Sequence, residues 1–288
     1  MGQSRICHAS GPPRQILPHP FRELNHLKAE ILVVGARVFR LARSPFFCFV
    51  AAASCSLSLF AADGAVSRQP TENASAIVIG FAGGFVRHNN PFHGPVRLAR
   101  RIQQDLPHGT YVQVFENRHR KTAYKTILRL LDRDHDGVLT DEEKAQARII
   151  LFGHSWGAAA AVLLARELEQ LDIPVLLTVQ VDSVAKFWQH DGVIPDNVAA
   201  AVNFYQPHGF IHGRSKIRAA DPSRTQILGN YRFDYSRAPI SCEGATWFDR
   251  TFMGSHIESN CDPHIWSQAE NLIRQRMEPT PGVVAAVP

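Results

Sequence analysis

An α/β architecture, a mainly parallel central sheet with helices on both faces, is predicted by three features of the sequence. Short continuous apolar runs rich in β-branched residues recur along the chain, as strands buried on both faces require. Amphipathic segments of helical period alternate with them, the pattern of strands joined by crossovers. One run, beginning near Ala147, passes through a glycine into a G-x-S-x-G pentapeptide and then into an alanine-rich helix, which is a strand-turn-helix junction.

The elements follow in order. Ser75 to Phe81 is the first buried strand, and Ala82-Gly83-Gly84-Phe85 the loop after it. Pro95 to Ile102 is amphipathic at helical spacing with a proline near its start. Tyr111 to Phe115 is the next strand, and Ala123 to Leu131 the next helix, with Tyr124, Ile127, Leu128 and Leu131 on one side. Beyond the pentapeptide, Pro174 to Val181 is a buried strand closed by Asp182, and Val198 to Tyr205 another. From His208 to Cys261 the pattern breaks into polar loop with a hairpin expected around Ile227 to Tyr235; residues 208–252 could supply a lid. Asp262 as cap and Pro263 at the first helical position start a last helix to about Met277. Residues 279–288 are expected to be a disordered tail, and there is no internal repeat.

The pentapeptide is Gly153-His154-Ser155-Trp156-Gly157. A serine on a tight strand-to-helix turn projects its oxygen clear of the sheet, and the positions two before and two after must lack bulk so that strand and helix can approach. The first turn of the following helix also aims N–H groups and a positive dipole end at any oxyanion forming beside the serine. These residues resemble the nucleophile elbow of the α/β-hydrolase superfamily, in its lipase and esterase branch, over a single domain spanning 68–278. The resemblance implies an α/β-hydrolase-like fold and a serine hydrolase cleaving a carboxylic ester through an acyl-Ser155 intermediate, with no cofactor for catalysis. The competing reading is a hydrolase-fold binding or scaffold protein without catalysis.

A serine hydroxyl needs a base in hydrogen-bond reach and a group to orient that base. The superfamily order is serine, acid, histidine. Asp182 is the acid, because it closes the strand after the elbow unit; a helix cap before Val184 to Trp188 is its alternative. Of the histidines that follow at a workable distance, His208, His212, His256 and His264, the resemblance favours His256, in Met253 to Glu258 just before the last helix, with His264 as runner-up. For the oxyanion hole, Trp156 N–H is one donor. Gly80-Phe81 resembles the lipase arrangement with Ile79 replacing its histidine, and Gly83-Gly84 the glycine-rich esterase loop, so Phe81 and Gly83 rank equally.

The basic balance of the chain belongs to its start. Of 31 Lys and Arg, seven lie in the first 62 residues against two of the 26 acids, leaving 24 of each beyond. A nucleic-acid partner read from net charge therefore fails. Arg37 to Arg43, the apolar stretch from Pro45 to Ala62 and the small residues through Ser67 follow the order of a secretory signal peptide, cut near 62–67; a membrane anchor is the alternative. Residues 1–67 are thus a leader, with the true start expected at Val33, Val34 or Val38. Its loss would leave Cys242 and Cys261, an even pair in a secreted or periplasmic chain, which favours a disulfide. The expected partner is a small-molecule or lipid ester bound by a monomer, with membrane contact only through an uncleaved leader.

Asp132 to Glu143 matches the EF-hand calcium loop. Asp132, Asp134 and Asp136 supply oxygens at loop positions 1, 3 and 5, the Val138 carbonyl at 7, Thr140 at 9 and Glu143 at 12, with Gly137 at the sharp turn. A structural Ca2+ is the expectation; an acidic, solvated turn between helices is the alternative.

Overall fold

The computed structural model describes residues 76–105 and 109–277. The leader at 1–67 and the tail at 279–288 lie outside the described residues. Elements are β1 (Ala76–Ala82), α1 (Gly94–Asp105), β2 (Thr110–Glu116), α2 (Arg120–Leu131), α3 (Asp141–Ala145), β3 (Ile149–His154), α4 (Trp156–Glu169), β4 (Leu177–Val181), β5 (Ala200–Tyr205), β6 (Gln226–Arg232), α5 (Trp247–Cys261) and α6 (Pro263–Met277). These six strands form one sheet in the order β2-β1-β3-β4-β5-β6, every neighbouring pair parallel, and the short segments Val193–Ile194 and Arg218–Ala219 pair in parallel as a separate two-stranded sheet.

Alternation along the strands divides the core in two. Val78, Ile150, Phe152 and Val179 pack on one face with Val96, Leu98 and Ile102 of α1 and with Ile265, Trp266 and Ile273 of α6. Ile77, Ile79, Ile149 and Leu151 pack on the other with Ile127 and Leu131 of α2 and with Ala161, Leu164 and Leu168 of α4. Helices thus cover both faces, and strands sandwiched this way need the continuous apolar runs seen in the sequence. From β1 the chain passes to β2 on one side and then returns to β3 on the other. Between the carboxyl ends of β1 and β3 lies the crevice where such sheets place their chemistry.

Two expectations need correction. Gln226 to Arg232 is no hairpin: it pairs in parallel with β5, Ala200 opposite Gln226 and Tyr205 opposite Arg232, with a register shift between Ala201 and Val202. As an edge strand carrying Gly229 and Asn230 it lacks the apolar run that marks the inner strands. The stretch around His256 is no loop either. It belongs to α5, which opens with a capping box of Thr246 and Asp249 and is broken at Gly254 (φ 25°, ψ −111°). That glycine hides the helical period, although Thr246-x-x-Asp249 is a helix-start pattern that can be read from the sequence.

Candidate active site

Ser155 follows β3 directly, at φ 57° and ψ −128°, a conformation that side-chain-bearing residues adopt only under constraint. The constraint comes from its neighbours. A Cβ on Gly153 would stand 2.4 Å from the Gly157 carbonyl carbon, and one on Gly157 would stand 2.3 Å from the Phe81 oxygen. Both positions therefore admit only glycine while strand and helix touch. The Ser155 N–H donates to the Val181 carbonyl at 3.0 Å, tying the turn to the end of β4.

From the next residue along β4 comes the acid. Asp182 is fully buried and holds φ 42°. Its Oδ1 accepts from Gly213 N–H at 2.6 Å, and its Oδ2 from Gln206 Nε2 at 2.9 Å. His256 Nδ1 lies 2.7 Å from Oδ2, and His256 Nε2 lies 2.9 Å from Ser155 Oγ. A carboxylate only accepts, so Nδ1 carries the hydrogen and Nε2 offers its lone pair to the serine hydroxyl. The structure brings Ser155, His256 and Asp182 into one chain of hydrogen bonds, whereas His264 is exposed on α6. Gln206 and Gly213, the other partners of the acid, carry no signal in the sequence.

The fold is α/β-hydrolase-like. No family model matches the sequence, and no curated protein matches it. Among solved structures, the chain is similar to RedJ with a polyethylene glycol molecule in its active site, at 12% identity and a TM-score of 0.33, over 75% of this chain and 98% of that one. A cutinase-like protein from Cryptococcus sp. is similar at 12% identity and a TM-score of 0.37, over 72% and 97%. An acetyl xylan esterase is similar at 9% identity and a TM-score of 0.35, over 70% and 99%. At these scores the likenesses carry no weight for the chemistry, which rests on the distances above.

The two candidates for the second oxyanion donor stand apart. Phe81 lies within β1, paired with Phe115 and Gly153, and its ring is buried against that of Phe115 at 6.3 Å between centroids. Gly83 lies at the serine: a Cβ there would be 2.9 Å from Ser155 Cβ. Both Gly83 and Trp156 border a cavity of about 640 Å³ into which Ser155 and His256 face. Phe85, Phe92, Ile211, Met253 and Ile257 give it apolar walls, and Glu243 and Asp249 are its carboxylates.

Two further histidines border this cavity, both nearly sealed from water. Burial first, then Arg97, lowers the His93 pKa to about 3, and burial first, then His256, holds His154 well below the ordinary imidazole value. Both rings are therefore neutral at physiological pH. Cys242 and Cys261 form a disulfide with Cα atoms 5.5 Å apart, closing a loop that contains His256.

Ahead of the elbow strand in the chain, carboxylate oxygens of Asp132, Asp134 and Asp136 lie within 4.8 Å of one another, and Gly137 takes φ 83°. Asp132 Oδ1 is buried without a hydrogen-bond partner. Glu143 is turned elsewhere: Oε1 accepts from Arg133 N–H at 2.6 Å and Oε2 from Thr140 N–H at 2.9 Å, while Thr140 Oγ1 accepts from Glu143 N–H in a capping box. Those backbone donors, Arg133 first, lower the Glu143 pKa. Val138 is exposed, and Leu139 packs on the core.

Proposed function

We propose that the chain is a serine hydrolase of carboxylic esters. Ser155 attacks the ester carbonyl, His256 takes the serine proton and returns it to the leaving alcohol, and water then releases the acyl group from Ser155 with His256 again as base. Asp182 fixes the His256 tautomer and ring, and stabilises the imidazolium that forms in each step. The observation that carries this reading is the pair of contacts on His256, 2.7 Å to Asp182 and 2.9 Å to Ser155. Trp156 N–H and Gly83 N–H are assigned the oxyanion, Gly83 being favoured over Phe81 by its place beside Ser155. The substrate is a small-molecule or lipid ester, whose apolar part suits the walls of the cavity. A fluorophosphonate probe tests the reading. It should label Ser155 in the wild type and leave Ser155→Ala unlabelled, and Ser155→Ala and His256→Ala should each lower turnover of a test ester by about a millionfold. A wild type that neither labels nor turns over would end it.

The protein works as an exported monomer, secreted or periplasmic, without nucleic-acid partners; the Cys242–Cys261 disulfide supports export. Among the described residues no helix is long and apolar enough to cross a membrane. The loop 132–143 takes a structural Ca2+, held by Asp132, Asp134, Asp136 and the Val138 carbonyl. The clustered oxygens and the unpartnered Asp132 Oδ1 fit a cation. Thr140 and Glu143 complete the set only where the capping box gives way. The ion would neutralise carboxylates and pin the segment leading to β3, with no part in the ester chemistry.

A further inference from the structure

The residue before the nucleophile is a histidine that ester hydrolysis leaves unused. His154 is 3% exposed, and its ring packs on that of His256 with centroids 4.7 Å apart and planes 32° apart. Its Nε2 lies 3.2 Å from the His256 carbonyl oxygen and 3.2 Å from Ser259 Oγ. The Ser259 hydroxyl already donates to that same carbonyl at 2.8 Å, so both neighbours turn lone pairs toward His154 and its Nε2 must carry the hydrogen. The other nitrogen, Nδ1, is left as a buried acceptor without a partner.

What this contact joins gives it its consequence. His154 ends β3, opposite Val181 in the ladder with β4, and is covalently next to Ser155. His256 stands two residues after the break at Gly254, where the helix no longer dictates the direction of the chain. The nucleophile is held by ladder pairing and by the Ser155 N–H bond to Val181, whereas the segment that holds the base begins at a kink. We infer that His154 is a positioning residue for the base: as a neutral Nε2–H imidazole it holds the His256 main chain and backs the His256 ring, keeping His256 Nε2 in reach of Ser155. This rests on the serine-hydrolase reading.

The test uses two substitutions and the wild-type protein. His154→Gln keeps a donor where Nε2 stood, and His154→Leu removes it. Rates are taken per active site titrated with fluorophosphonate, so that unfolded protein does not count. His154→Leu should lose about a hundredfold in kcat with KM within about twofold, the scale of a slight misplacement of reacting groups. His154→Gln should recover most of that loss. A His154→Leu enzyme with wild-type kcat, or a His154→Gln enzyme as slow as the leucine variant, overturns the inference. Nitrogen NMR of the wild-type imidazoles decides the case even if neither variant folds: His154 should show protonated Nε2 and bare Nδ1 between pH 6 and 8, and the opposite tautomer or an imidazolium overturns it. A wild type inert to probe and ester would instead remove the hydrolase reading, which the tautomer measurement does not depend on.

Discussion

His93 shows how a single buried side chain links the site to pH. It is 5% exposed, its Nδ1 has no partner, and its ring meets that of His154 edge to face at 5.5 Å. Its pKa of about 3 in the folded protein stands below the unfolded imidazole value of about 6.5. Above that unfolded value both states are neutral and pH has no leverage through this group. Below it, the unfolded chain takes up a proton that the folded protein refuses, so stability falls as pH drops from about 6.5 toward 3. The slope approaches about 1.4 kcal/mol per pH unit. Urea midpoints at pH 7.5, 6 and 5 should fall more steeply for the wild type than for His93→Gln, which has nothing to protonate. Parallel lines for the two proteins would show that burial of His93 does not act on stability in this way. Of the residues at the site, Ser155 and Asp182 were legible because each ends a readable strand; Gln206 and Gly213 were not, since an amide and a glycine in a polar stretch announce no partner until the chain has folded.

At the scale of elements, α5 places the imidazole of the site on a helix that its own sequence interrupts. It carries His256, breaks at Gly254, and ends at Cys261, whose carbonyl and that of Asn260 accept from Arg97 Nη2 at 3.2 and 3.3 Å. Hydrophobic periodicity could not reveal this helix, because a kink resets the angular phase of the residues beyond it. The inner strands, buried on both faces, show none of that ambiguity, while β6 needed knowledge of its partner: an edge strand with mixed polarity reads equally well as half of a hairpin. The disulfide compensates for what α5 lacks in regularity. Cys242 and Cys261 are 19 residues apart, and closing a loop of that length removes unfolded-chain entropy worth about 3 kcal/mol. Cys242→Ala with Cys261→Ala should lower the unfolding free energy by about that amount. It should also lower kcat per titrated site, because the freed segment holds the base. A stability loss with unchanged kcat would limit the bridge to a structural role.

Across the whole molecule, the hydrogen-bonded chain of Ser155, His256 and Asp182 is assembled from the ends of β3 and β4 and from α5, while the acidic loop 132–143 leaves the end of α2 and runs into the first turn of α3, ahead of the strand that leads to Ser155. The loop is anchored by Leu139 in the core beneath α2 and α4 and by the capping box that starts α3. Three of its aspartates, Asp132, Asp134 and Asp136, repel one another without a cation, a cost that falls on the folded state, where their oxygens are held within 4.8 Å. Calcium should therefore act on global stability and leave the chemistry alone. For an affinity on the order of 0.1 to 1 mM, as in extracellular modules, 10 mM calcium would add about 1.4 to 2.7 kcal/mol by mass action. A domain of this size would then melt a few degrees higher. Asp134→Ala with Asp136→Ala removes two ligands and leaves the Thr140–Glu143 capping box intact, so the variant still folds by the same contacts. Scanning calorimetry with calcium, with chelator and with magnesium at equal ionic strength should show a rise in the midpoint for the wild type in calcium alone, no rise for the variant, and the same kcat in each. An equal rise in both proteins would mean that calcium acts elsewhere on the chain, and a change in kcat would mean that the loop reaches the elbow through β3.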